Sequence, residues 1–269
     1  MIDLLSLQFF RNAFIMSLLL GILYGVLSFF IVLRKMSFLG AGIAHTAFGG
    51  VALGILIGIN PFYSSLVFCI VAAILMGKLV RYGHISYDTS IGILFASSMA
   101  LGALIIALKK AYTFDLSGYL FGNILGVTSF DTMVVIIALS LFIPFILLFF
   151  QRIVFLTFDE EVAEVSGVKV QLLDTLLLVF LAGIIVISIK IVGIVLVSAL
   201  VVLPASFGLL FTKDFRIVIA FGILYAVIIM EGGLLLSYSL GTPAGATIVL
   251  AGTIIYFIAL AVKHITGVT

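Results

Sequence analysis

Apolar residues along this chain gather into long runs, and the polar positions between them are few and bunched. Nine stretches are predominantly apolar: 12–33, 40–59, 62–80, 89–108, 132–150, 175–189, 191–211, 217–236 and 246–262. A helix crosses the hydrocarbon of a bilayer with about 20 apolar residues, range about 17 to 25. The sixth stretch, with 15 residues, is expected to tilt or to insert only in part. None of the runs has the ten-residue in-out alternation of barrel strands, and in lipid each backbone N–H and C=O must be paired within its own segment. The pattern therefore predicts an all-α integral membrane protein of about nine transmembrane helices, folded as one domain over 1–269.

Composition points the same way. Of 269 residues, 65% are hydrophobic and 9% charged, against roughly 25% charged in a soluble domain. With a mean hydropathy of +1.49, the chain needs the lipid bilayer as its solvent. A net charge of +2, dispersed along the chain, excludes the clustered basic face that nucleic acid requires. The single cysteine, Cys69, leaves no internal disulfide and no Cys-based zinc site. The opening MIDLLSLQFFRNAF has an acid before its first base and no small-residue cleavage site, so the first span is expected to be kept.

Lys and Arg between the spans predict the orientation. With the N-terminus outside, nine of the 13 basic residues (Arg34, Lys35, Lys78, Arg81, Arg152, Lys169, Lys213, Arg216 and Lys263) face inward, leaving Arg11, Lys109, Lys110 and Lys190 outside. The C-terminus is then inside. Merging the sixth and seventh stretches into one broken span would move Lys213 and Arg216 outward, so nine crossings are preferred.

Two connections carry content. The inner one holds FDEEVAEVSGVKV, with Asp159, Glu160, Glu161 and Glu164 and a Gly167 suited to ending a short helix. The outer one holds FDLSGYLFGNILGV, whose Gly118, Gly122 and Gly126 recur every four residues and predict a short packed or re-entrant piece. Glycines four apart within spans (Gly21 and Gly25; Gly50, Gly54 and Gly58) predict close helix packing.

Candidate chemistry is sparse. No phosphate loop GxxxxGK[ST], GxSxG or HExxH occurs, so ATP-driven work needs another chain. Well inside spans the ionisable residues are His45 and Glu231, with Lys78 and Lys190 close enough to ends to snorkel. His45 is either a neutral imidazole bonded to a neighbouring helix or a transient ligand for a borderline metal. Glu231 is either a gate or ion contact or a carboxyl held neutral against the backbone. His84 and His264 read as solvated. Ser198 and Ser206 lack a nearby His and are poor nucleophiles for an intramembrane hydrolase.

Six blocks carry a family likeness: RKMSFLGAGIAHTAFGGVALG (34–54), TSIGILFASSMALG (89–102), YLFGNILGV (119–127), FDEEVAEVSGVKV (158–170), KIVGIVLVSALVVLPAS (190–206) and TPAGATIVL (242–250). In order, spacing and placement they resemble the membrane subunits of bacterial zinc and manganese ABC importers, the ZnuB-like permeases. The resemblance implies a type II ABC importer permease in the bacterial cytoplasmic membrane, a homodimer around a central pathway. It implies no enzymatic activity and no bound cofactor, with Zn²⁺ or Mn²⁺ as the transported substrate. Two ATPase subunits would dock on the cytoplasmic side, and an extracytoplasmic metal-binding protein would deliver the ion.

By the same resemblance, 158–168 looks like a coupling segment, with Asp159, Glu160, Ala163 and Gly167 facing the ATPase. His45 corresponds to the family's pathway histidine, whereas the acid that usually precedes it by four residues is Ala41 here. Zinc is the ion expected, because a lone imidazole suits Zn better than Mn. The alternatives are an iron-chelate or corrinoid permease, whose large cargo needs a wider vestibule than the small residues around His45 suggest, and an ion-coupled secondary carrier, for which Glu231 is the one mid-span acid.

Overall fold

A computed structural model describes residues 7–109, 122 and 124–266. Among them are ten α-helices, one 3₁₀ turn and no strand. The helices are α1 Gln8–Leu33, α2 Leu39–Ile57, α3 Pro61–Gly83, α4 Tyr87–Lys109, α5 Ser129–Phe158, α6 Glu160–Val165, α7 Val170–Leu200, α8 Leu203–Phe211, α9 Phe215–Leu240 and α10 Ala244–Thr266, with the 3₁₀ turn at Ile124–Gly126. Residues 1–6 of the opening MIDLLSLQFFRNAF, and Gly118 of the connection between α4 and α5, lie outside the described residues.

Helix ends follow local chemistry. The Asn60 side chain accepts the Phe62 amide at 2.9 Å and Pro61 opens α3, where its missing N–H costs nothing. Thr128 and Asp131 exchange side-chain bonds to each other's backbone N–H at the start of α5. Gly58 has nothing within 4 Å of a Cβ position and closes α2 with φ +76°. Its spacing from Gly54 predicts a packing contact, but its role is the left-handed cap.

Eight of the described helical runs are long and apolar enough to cross a membrane. Seven match predicted stretches one to one. The sixth and seventh share the 42-residue run Val170–Phe211, roughly 60 Å of helix at about 1.5 Å per residue, or twice the hydrocarbon thickness. The predicted joint at Lys190 lies inside α7; the break falls instead at Gly193, with φ 81° and ψ 167°. That backbone conformation is open only to glycine. A second interruption separates α7 from α8 ahead of Pro204.

The chain divides into two compact units. One comprises 1–33, 115–136 and 188–269 and the other 34–114 and 137–187. In the first, α1 packs along α9 and α9 along α10. Gly21 faces Val227 and Gly25 faces Ile223, so residue numbers fall on one side as they rise on the other and the two helices run antiparallel. The 3₁₀ turn packs on α1, and Gly122 lies against the backbone of Val192 and Gly193, at the break in α7.

In the second unit α2 packs on α3 and α4. Gly42 against Ile91 and Gly49 against Ser98 keep a constant offset, so α2 and α4 run parallel. Gly50 and Gly54 seat α3 at Ser65 and Ser64. Outward surfaces carry large apolar side chains, among them Leu148 and Leu104, that a soluble protein would cover.

The glycine seams make a stability prediction. A Cβ at Gly25 would lie 2.5 Å from the Ile223 Cα, a backbone atom that cannot swing aside. Gly25→Leu is expected to destabilise the protein by about 1–3 kcal/mol, read as a lowered midpoint in thermal unfolding of the purified protein. An unchanged midpoint would mean that the seam is not closed.

Candidate functional site

The acidic connection between α5 and α7 forms a short capped helix. Asp159 is its N-cap, the carboxylate accepting the Val162 amide at 2.9 Å. At the other end the Gly167 amide bonds the Glu164 carbonyl and the Val168 amide the Ala163 carbonyl, with Gly167 at φ +83°. This paired closure needs a left-handed residue after the cap and fixes where the helix stops. Glu160 pairs with Arg81 of α3 at 3.4 Å. Ala163, read from sequence as facing a partner, is wholly buried and seats α6 on its own chain. The outward face instead carries Val162, 49% exposed, and Val165, 90% exposed. Two aliphatic side chains facing water among carboxylates make a surface suited to another protein.

Beside α6 lies a buried ionic cluster that sequence reasoning missed. Arg34 Nη1 stands 2.5 Å from Asp174 Oδ1, with the two side chains 4% and 6% exposed. Arg34 Nη2 donates to the Tyr87 hydroxyl at 2.9 Å, which donates to the same carboxylate oxygen at 2.8 Å. Burial, the largest single influence, would by itself lower the Arg34 pKa, but Asp174, Tyr87 and Glu160 together outweigh it and hold the guanidinium charged, above its ordinary value. The cluster joins the residue that follows α1 to the first turns of α4 and α7. The signal was present in sequence as a base just past one apolar run and an acid just before another, but nothing local says that they meet.

His45 lies on α2, half-buried, with its ring edge-on to Phe95 of α4 at 4.9 Å between centroids. Ala41 and Phe48 share its less buried face. Among the described residues no group of three His, Cys, Asp or Glu could hold a metal ion. A lone imidazole on a half-open face can touch a passing cation but cannot cage one.

Glu231 belongs to the other unit. Its register on α9 follows from the glycine contacts: with Gly21 at Val227 and Gly25 at Ile223, the next small residue, Ser17, falls opposite Glu231. The Ser17 hydroxyl donates to Glu231 Oε1 at 2.8 Å, while Oε2 is buried without a partner. The carboxyl is thus bonded to a side chain rather than held against the backbone. Elsewhere in this unit Lys190 pairs with Asp131 at 2.6 Å, and Lys263 donates to the Leu210 carbonyl.

Comparison with known proteins covers nearly the whole chain. The family model described as the ABC 3 transport family matches residues 6–263. The manganese transport system membrane protein MntC of Listeria monocytogenes is 36% identical over 256 residues, covering 95% of this chain and 91% of that protein. The manganese import system permease protein ScaB of Streptococcus gordonii is 34% identical, covering 93% and 90%. The solved structure of PsaBC from Streptococcus pneumoniae in complex with Fab superposes with a TM-score of 0.81 at 33% identity, over 96% of this chain and 93% of that one.

Proposed function

This chain belongs to the ABC 3 transport family, and we propose that within it the chain is the membrane-spanning permease of an ATP-driven importer of a divalent transition-metal ion. The observation that carries the reading is the match over 6–263, supported by a short capped helix that exposes Val162 and Val165. Manganese is the ion we propose, because the relatives at 36% and 34% identity are named for it. Zinc is the second reading, favoured by the lone imidazole of His45. The chain works as a homodimer, with ATPase subunits on α6 and an extracytoplasmic binding protein at the opposite end.

The contacts within each unit support an outside N-terminus. Arg34, Arg81, Tyr87, Glu160 and Asp174 meet at one end of their unit, the end to which the basic residues between spans assign the cytoplasm. Asp131 and Lys190 are both assigned outside, and Leu210 and Lys263 both inside. An α7 that rises to Lys190 and a chain that returns from Gly193 to Leu210 accommodate the ninth crossing.

In a bacterium stripped of its own manganese and zinc importers, this chain expressed with its ATPase and binding protein is expected to restore uptake of manganese before zinc. Uptake of neither ion would sink the reading. The exposed face of α6 gives a sharper arm. Val165→Asp is expected to leave unfolding within about 0.5 kcal/mol of wild type while abolishing uptake and ATPase retention. Normal uptake by that variant would make α6 a simple connection.

A further inference from the structure

At the ends of α3 and α7, next to α6, the second unit holds a cavity of about 560 Å³ whose wall includes Lys78, Arg81, Lys169 and Tyr82 together with Ile74 and Leu172. Two carboxylates, Asp174 and Glu164, also border it. Asp174 is already spent on Arg34 at 2.5 Å, and Arg81 leans on Glu160 at 3.4 Å. Lys78 and Lys169 have no carboxylate within ion-pair distance among the described residues, and both are exposed.

The site sits where a span ends. Lys78 and Arg81 occupy the last turns of the apolar run Pro61–Gly83, and Lys169 immediately precedes the run that begins at Val170. At that depth ammonium groups snorkel toward headgroups while their stems lie along acyl chains. Basic pockets between transmembrane helices at the cytoplasmic leaflet bind anionic headgroups. We propose that this cavity binds the phosphate of an anionic phospholipid, held by Lys78 and Lys169, with Ile74 and Leu172 against its upper acyl carbons. A lipid is favoured over a side chain of a docked protein because apolar and basic groups line the same cavity at the end of the spans. The choice of leaflet rests on the orientation proposed above; the phosphate site does not.

The test uses the full chain in discs of phosphatidylcholine mixed with phosphatidylglycerol, with retained lipid counted by mass spectrometry after detergent purification. Wild type is expected to retain phosphatidylglycerol over phosphatidylcholine. Lys78→Gln and Lys169→Gln should each cut that retention about fivefold, matching the typical worth of one basic group at an anionic surface. Lys78→Arg and Lys169→Arg should keep it. Equal retention of the two lipids by wild type would overturn the proposal, and that result can be read even if a glutamine variant fails to assemble. Displacement of the lipid by inorganic phosphate alone would make the site one for free phosphate and overturn the lipid assignment. Loss of ATPase association with lipid retention unchanged would give the cavity to the protein interface, again overturning it. A label on Glu161→Cys reached only from the outside would refute the orientation while leaving the lipid result standing.

Discussion

Removing the Arg34 side chain as Arg34→Ala is expected to cost about 3–5 kcal/mol of stability, because it strands the Asp174 carboxylate in a site from which water is excluded. The two side chains are 4% and 6% exposed, and Tyr87 alone, as a single neutral donor at 2.8 Å, cannot replace a cation. Thermal unfolding in a fixed detergent should report a large drop in midpoint for Arg34→Ala. Replacing both charges, as Arg34→Met with Asp174→Leu, should recover much of it, since no unpaired ion is then left buried. A double variant as unstable as the single one would mean that geometry rather than charge pairing matters there. An Arg34→Ala protein that melts like wild type would refute the cluster. Its neighbours in the chain give the cluster a wider consequence: Asp174 lies near the start of α7, eight residues after Ser166 closes α6, so loosening it should also weaken the seating of α6.

His45→Ala is expected to lower manganese uptake roughly tenfold, equivalent to about 1.4 kcal/mol of lost stabilisation of the passing ion, without lowering the amount of assembled protein. The ring is half-buried and touches Phe95 edge-on, so truncation leaves the α2 and α4 seam at Gly42 and Gly49 in place. A packing role predicts the reverse: less assembled protein, each copy transporting normally. Ala41→Asp supplies a second arm. The position lies one turn earlier on the same less buried face, where a carboxylate could share an ion with the imidazole. A change in manganese-to-zinc preference that appears only when His45 is present would place both on one ion. Wild-type uptake by His45→Ala at limiting manganese would remove the histidine from the pathway.

How far the molecule could be read from sequence depends on the range of the physics involved. Spans were legible because each is decided by its own apolar residues, and helix ends such as Asn60 and Gly167 because capping is a matter of neighbours. The α6 helix was legible in outline for the same reason. Its facing was not: Ala163 and Val165 differ only in which side of a one-and-a-half-turn helix meets the rest of the chain, and tertiary packing decides that. Lys190 looked like a boundary because a charge in an apolar run usually is one. The helix carries it through, paired with Asp131, and breaks three residues later at a glycine whose conformation no local pattern demands. Arg34, Tyr87 and Asp174 come from three places along the chain and meet only on folding, which is why the most buried ionic group was the least visible.

The central claim is that this chain moves a metal ion using ATP hydrolysed by another subunit. Its most direct test is Mn²⁺ accumulation in sealed vesicles holding the purified permease, with ATPase and binding protein added singly and together. Accumulation is expected only with all three components and ATP, with no hydrolysis by the permease alone. Accumulation driven by a proton gradient in vesicles lacking the ATPase would contradict it and make the chain a secondary carrier.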